Sequence, residues 1–368
     1  MRKTLTLLLM FGLLTLNVHA ADTTPDYLTI SNLTVTPGNS GVYNFTVKMK
    51  NVSRSYTAIN MDLHLPDGLT PQIKNDGKPR VAIDTSDDSM VLDEYGDNNH
   101  SIGATFDVVD KGVLRVVISS TANAEMQAID GNLFKVYVKA SPFLKPGTAS
   151  IAVDEIAFIV KEGGKAYQPA SQPDLTFNVN SQSTVSLNIS ADNQWSTAVV
   201  PFNAALPTGV QAYSCSSTSG DYLVLEAVTS LAAYQPYILH AESGYTGALS
   251  GSVDATQYVA TATAGLLSGA IVSRSITEGY VLQNKGDGAC FYNVNGQSFN
   301  IPEGRCWLTV PDGSRAAFGF DVETTAVDNI NIALPRSYEV YDLEGRRVPS
   351  PQAGHLYIIG GRKVLKLK

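Results

Sequence analysis

The chain has 368 residues, with 34 acidic and 26 basic side chains and a formal net charge of −8. Two of the cations, Arg2 and Lys3, fall in the first twenty residues with no acid beside them, so the remainder is more acidic still, and this balance argues against nucleic-acid binding. With 44% apolar and 16% charged residues the chain is not a disordered acidic tail, and 3 cysteines are too few for a disulfide-dense scaffold.

The first segment reads as an export signal. Arg2-Lys3 supplies a basic start, Leu5 to Leu16 an apolar run, and Val18-His19-Ala20 a small-x-small pattern, which predicts cleavage between Ala20 and Ala21. The apolar run is about a dozen residues, short of the roughly 20 that span a bilayer. No later stretch is apolar for long enough either, so the expectation is a secreted or outer-surface chain without a transmembrane span.

From Tyr27 to Val179 the pattern is that of short strands. In Ala58 to Leu65 the residues Ile59, Met61, Leu63 and Leu65 share one face, and Asn60, Asp62 and His64 the other. Tyr43, Phe45, Val47 and Met49 repeat the alternation, as do Phe134, Val136 and Val138 against Lys135, Tyr137 and Lys139. Val113 to Ile118 is apolar but for Arg115, which predicts a strand covered on both faces. Turn sequences separate these runs: Pro37-Gly38-Asn39, Pro66-Asp67-Gly68, Asp130-Gly131-Asn132 and Pro146-Gly147. About nine or ten strands in this span predict a β-sandwich.

A polar, proline-bearing stretch from Gln168 to Asp174 precedes the last strand of this domain. A second β-rich unit follows, marked by Trp195, Pro201-Phe202, Tyr222 to Leu225 and Pro236 to Leu239. Asn295-Gly296 is the strongest two-residue hairpin signal in the chain. Only Thr229 to Tyr234 suggests a short helix. Strand-turn-strand patterns around Gly345 and Gly360-Gly361 close the sequence. The expected organisation is a signal peptide (1–20), a β-sandwich (21–180), a second β-rich domain (181–320) and a C-terminal β segment (321–368), all-β throughout.

Four stretches carry a family resemblance: Tyr43 to Val47, Met61 to Leu69 with its Leu65-Pro66-Asp67-Gly68-Leu69, Gly112 to Ser120, and Gly131 to Ala140 opening with Gly131-Asn132-Leu133-Phe134. In this order they resemble the cohesins, within the broader cohesin and carbohydrate-binding jelly-roll group. The resemblance covers about 150 residues and implies a two-sheet jelly roll of about nine strands. It implies non-catalytic adhesion: binding a carbohydrate, or a dockerin-type protein module, on one sheet face. The tail, with Val340-Tyr341-Asp342-Leu343 and Leu356-Tyr357-Ile358-Ile359, resembles the C-terminal sorting segment of Bacteroidetes cell-surface proteins. The middle unit is similar to a β-domain common in secreted proteins of that phylum.

Sequence motifs for catalysis are lacking: there is no His-Glu-x-x-His, no Gly-x-Ser-x-Gly elbow and no phosphate-binding loop. The expectation is therefore a binder and not an enzyme, with no cofactor. A structural, fimbria-like surface component is the alternative, and a glycoside hydrolase with carboxylates paired only in space is the third reading. The densest acid cluster contains Asp84, Asp87, Asp88 and Asp93; it reads either as a calcium loop, since hard oxygen ligands suit that ion, or as a solvated loop. Tyr56, Tyr95 and Tyr137 are the candidate sugar-stacking aromatics, against the simpler reading that they pack across strands. Trp195 and Trp307 read as core. Cys290 and Cys306 flank the Asn295-Gly296 turn and are either a disulfide or two buried thiols.

Overall fold

The computed structural model describes residues 22–93, 95–107, 112–285, 288–310, 315–322, 340–342, 345–348, 355–359 and 362–366. The expected signal segment with its Ala20–Ala21 cleavage point lies outside them. The described residues are organised as two compact units, one running to Asp321 and one from Val322.

In chain order the first part of the larger unit holds β1 (Asp22–Thr24), β2 (Tyr27–Ile30), β3 (Thr34–Val35), β4 (Tyr43–Lys50), β5 (Ala58–His64), β6 (Leu69–Pro71) and β7 (Val81–Ile83). It continues with β8 (Ser101–Asp107), β9 (Val113–Ser119), β10 (Gly131–Ala140), β11 (Gly147–Ile159), β12 (Ala166–Pro169) and β13 (Leu175–Val179). One sheet has the order β1-β12-β11-β5-β9-β8, with β13 on the other half of β11 and β3 beside β13. The facing sheet has the order β2-β4-β10, and β6 and β7 share the far edge of β10. Pleating explains the core between them. Phe45, Val47 and Met49 from β4 and Phe134, Val136 and Val138 from β10 meet Ile59, Met61 and Leu63 from β5, and every one is fully buried. The strand from Val113 differs from expectation. Leu114, Val116 and Ile118 are buried, but Val113 and Val117 are half-exposed and Arg115 is exposed, so one of its faces meets solvent.

The second part contains β14 (Gln182–Ile189), β15 (Trp195–Ala198), β16 (Ala204–Ala205), β17 (Gln211–Ser219), β18 (Tyr222–Val228), β19 (Ser230–Leu231), β20 (Tyr237–His240) and β21 (Tyr245–Ser252). Then come β22 (Ala262–Ala264), β23 (Leu267–Gly269), β24 (Arg274–Ile276), β25 (Tyr280–Asn284), β26 (Ala289–Asn293), β27 (Phe299–Ile301), β28 (Cys306–Leu308) and β29 (Ala317–Val322). Its main sheet runs β15-β20-β17-β18-β29-β26-β25-β28-β23-β22, with separate two-stranded pairs β14-β21, β16-β19 and β24-β27. The helix expected over Thr229 to Tyr234 is not formed: Ser230–Leu231 pairs with β16 instead, because cross-strand bonding to Ala204–Ala205 outcompetes a helix too short to hold itself. At Asn295-Gly296 the turn forms, with φ of 51° and 77° and Gln297 N–H donating to the Val294 carbonyl at 3.0 Å. The flanking strands nevertheless do not pair with each other, since β27 is taken by β24.

The two parts of the larger unit are keyed together. Phe143, at the end of the first sandwich, is only 3% exposed and belongs to the hydrophobic core of the second part, 6.4 Å from the ring of Tyr234. The Ser141 hydroxyl donates to Glu303 Oε2 at 2.7 Å, and that of Ser183 to the Pro142 carbonyl at 2.8 Å. Gly38 sits at φ +70°, where a Cβ would fall 1.7 Å from the Thr184 carbonyl oxygen, so the crossing requires glycine. The smaller unit holds β30 (Val340–Tyr341), β31 (His355–Ile359) and β32 (Arg362–Lys366) as an antiparallel sheet. Among the described residues no helix is long and apolar enough to cross a membrane.

Candidate functional site

Four adjacent strands, β11, β5, β9 and β8, present one outer face whose composition follows from their register. Cross-strand partners place Asp154, Asp62, Arg115 and Thr105 in one row. The row on one side is Ala152, His64, Val113 and Asp107; on the other it is Ala157, Asn60, Val117 and Gly103. The face therefore has a charged centre flanked along β5 by His64 and Asn60, with the small or β-branched Ala152, Ala157, Val113, Val117 and Gly103 on the neighbouring strands.

Asp62 is 5% exposed and is held from two directions by one guanidinium, Arg115 Nε to Oδ1 at 2.7 Å and Nη2 to Oδ2 at 2.5 Å. That fork-to-carboxylate geometry is the stronger kind of ion pair. The hydrogen bond to Asp62 is the main influence raising the Arg115 pKa, aided by the nearby charges of Glu155 and Asp154. His64 Nε2 lies 2.9 Å from Asp154 Oδ1, an ion pair whenever the imidazole is protonated. A bulge between Asp154 and Ala157 sets Glu155 at φ 48°, and Asn60 Nδ2 caps it by donating to the Glu155 carbonyl at 2.7 Å. A partner covering the centre of this face does not strand the Asp62 carboxylate, which Arg115 already satisfies.

The residues singled out from sequence do not assemble. Tyr56 is fully buried; its hydroxyl donates to Asp26 Oδ2 at 2.5 Å and its ring packs 5.2 Å from that of Phe158, so it is a core residue and no sugar platform. Tyr137 is on the outer face of β10 as expected, but the Arg80 guanidinium lies 3.9 Å from its ring centroid and covers that face of the ring. Tyr95 is 83% exposed in the turn after Asp93, well separated in the chain from the other two.

The acid cluster likewise serves the loop itself. Asp84 is buried against Lys135 Nζ at 3.2 Å and accepts from the Ser86 amide at 2.9 Å. Burial alone would raise its pKa, but the hydrogen bonds from Ser86 and Lys135 hold it below the ordinary aspartate value. Asp93 accepts from the amides of Tyr95 and Asp97 at 3.0 and 2.9 Å, while Asp87 and Asp88 are exposed. Among the described residues no three carboxylate, histidine or cysteine side chains converge as metal ligands.

No disulfide joins Cys290 and Cys306. The order β26-β25-β28 puts a whole strand between theirs, about 9.5 Å of spacing where a bridge tolerates roughly 7 Å. Trp307 is buried as expected, whereas Trp195 is half-exposed and stacks on Phe320 with ring centroids 4.0 Å apart. The Asp62–Arg115 centre was not anticipated. Alternation assigns Asp62 to an outer face, but the Arg115 strand was expected to be covered on both faces, and only the β5-β9 register sets the two against each other.

No protein-family model matches the chain, and no curated protein matches it in sequence. Among solved structures the first sandwich is similar to cohesin domains. A non-cellulosomal cohesin from Archaeoglobus fulgidus is 17% identical over 42% of this chain and 91% of its own, with a TM-score of 0.31. The cohesin of a type I cohesin–dockerin complex from Clostridium thermocellum is 16% identical over 44% of this chain and 97% of its own, with a TM-score of 0.32. A domain from Clostridium acetobutylicum solved in solution is 16% identical over 43% and 92%, with a TM-score of 0.30.

Proposed function

We propose that this chain is an exported, non-catalytic binding protein whose N-terminal sandwich docks a dockerin-type protein module on the outer face of β11, β5, β9 and β8. The observation that carries the reading is the Asp62–Arg115 pair at the middle of that face. A buried carboxylate neutralised before any partner arrives removes the largest desolvation cost of covering the surface. The small neighbours Ala152, Ala157 and Gly103 leave the face low around this centre, as protein-on-protein packing requires. The cohesin-like motifs from Tyr43 to Ala140 support the same reading. Protein is favoured over carbohydrate as the ligand because Arg80 already occupies the Tyr137 ring and Tyr56 is in the core.

The test is titration calorimetry of the full chain against a panel of purified dockerin modules, with a glycan array in parallel. Saturable binding of a dockerin, weakened at least tenfold by Arg115→Ala, supports the proposal. Glycan binding that Arg115→Ala leaves intact overturns it in favour of a sugar-binding surface.

A further inference from the structure

The second part of the larger unit contains a cavity of about 210 Å³ where β15 passes β25, β27 and β28. Its lining includes Asn193, Trp195, Gln283, Phe299, Ile301 and Arg305. Arg305 belongs to the short connection from β27 to β28, and its Nη1 donates to the Ser196 hydroxyl and, at 2.9 Å, to the Thr197 carbonyl on β15. A guanidinium has five N–H donors, and among the described residues Nε and Nη2 of Arg305 find no acceptor. Nor does any carboxylate among the described residues come within 4.0 Å of it, in contrast to Arg115, Arg315 and Arg346, each of which has an aspartate. Burial depresses its pKa, the mark of a cation set in the protein without a counter-ion.

We infer that this cavity is a binding site for a small hydroxylated carboxylic acid of the sugar-acid class, with Arg305 as the carboxylate receptor. The unused edge of the guanidinium matches a carboxylate in two parallel hydrogen bonds. The Gln283 amide offers a donor and an acceptor for hydroxyl groups and Asn193 a further donor, its Oδ1 already accepting from Asn284 Nδ2 at 3.0 Å, and Phe299 and Ile301 supply an apolar flank for the C–H face of a ring. At about 210 Å³ the space is below the roughly 300 Å³ at which drug-sized ligands begin, which limits the occupant to about one ring. The acid is either free or a residue of an acidic polysaccharide. This site is distinct from the docking face, and neither proposal depends on the other.

Trp195 lines the cavity and reports on it, so the experiment is a fluorescence titration of the full chain with D-galacturonate, D-galactose, acetate, inorganic phosphate and polygalacturonate. Saturable change with galacturonate, at least tenfold weaker with acetate or phosphate and undetectable with galactose, is expected. Polygalacturonate acting as well places the acid in a polymer, and monomer alone places it free in solution; both support the site. Arg305→Lys keeps the charge but loses the fork and should weaken galacturonate at least tenfold. Because Arg305 also ties β28 to β15, Gln283→Ala serves as the second variant and should weaken it several-fold without altering the unfolding midpoint. A response to galactose equal to that of galacturonate, no response to galacturonate at tens of millimolar, or full affinity in both variants overturns the assignment.

Discussion

Arg115 and Asp62 are 53 residues apart in the chain and directly opposite in the sheet, where Arg115 closes both oxygens of a carboxylate whose side chain is nearly inaccessible. Arg115→Ala leaves that carboxylate buried and unpaired. The general cost is about 1 to 3 kcal/mol, and the solvent around the Arg115 side chain puts the expected loss near the lower end, about 1 kcal/mol. A double-mutant cycle with Asp62→Asn, read by guanidinium denaturation, should return a coupling of that size. Strict additivity of the two single variants would mean that the pair contributes nothing.

Tyr56→Phe removes the donor to Asp26, itself fully buried, while the Ser53 amide at 3.1 Å remains. A loss of about 1 to 3 kcal/mol is expected. Calorimetry should record a fall of about 2–4 °C for each kcal/mol. Tyr95→Ala, on the exposed turn, should stay within about 0.5 kcal/mol of wild type. Equal effects from the two would contradict the assignment of Tyr56 to the core.

Glu303 makes stability depend on pH. Burial raises its pKa, and the hydrogen bond from Ser141 opposes that rise only in part. The folded chain thus keeps a proton that the unfolded chain has released above about pH 4.5. The stability contribution is complete below that value and is lost as pH climbs through the folded pKa. Glu303→Gln does not titrate, so its melting temperature relative to wild type should rise from pH 4 to pH 7. Ser141→Ala should move the window to higher pH, and a pH-independent difference would rule the mechanism out.

Two buried thiols add a dependence on alkaline pH. Burial pushes Cys306 up to about 12 and Cys215 up to about 11, against about 9 for the unfolded chain. The unfolded state releases these protons first, so stability should decline from about pH 9 by up to about 1.4 kcal/mol per pH unit for each thiol. Denaturation of the Cys215→Ala variant between pH 8 and 11 should give a shallower decline than wild type. An identical slope would exclude this thiol.

Phe143→Ala should cost about 3 kcal/mol or more by emptying its place in the second core. It should also separate the unfolding of the two parts of the larger unit, seen as two calorimetric transitions in place of one. A single sharp transition in the variant would show that the other contacts at the junction suffice.

What could be read from the sequence was local. The period-two faces of β4, β5 and β10 follow from side-chain alternation; the expected aliphatic and phenylalanine side chains are buried, while Tyr43 is half-buried and Thr46 and Asp62, from the opposite faces, are buried as well. The Asn295-Gly296 turn was legible because left-handed backbone is a property of those two residues; the partner of the strand after it was not, since Arg274–Ile276 is supplied from about twenty-five residues upstream. Tyr56 stands in an aperiodic segment, and its burial depends on Asp26, 30 residues earlier. Tyr137 was correctly placed on an outer face, yet the cation covering it comes from a connection near β7. Registers and long-range partners are set by which strands meet, and one-dimensional periodicity carries no trace of that.

The terminal strands of the first sandwich have a mechanical consequence. β1 runs parallel to β12, through Asp22 opposite Tyr167 to Thr24 opposite Pro169, and β3 runs parallel to β13 at Thr34 and Val35. Traction between the beginning of the domain and the end of β13 pulls the strands of each pair in opposite senses along their length. Their hydrogen bonds are then loaded together in shear, where an antiparallel hairpin pulled at its open end would be peeled one bond at a time. A domain closed in this way is latched at both chain ends against stretching.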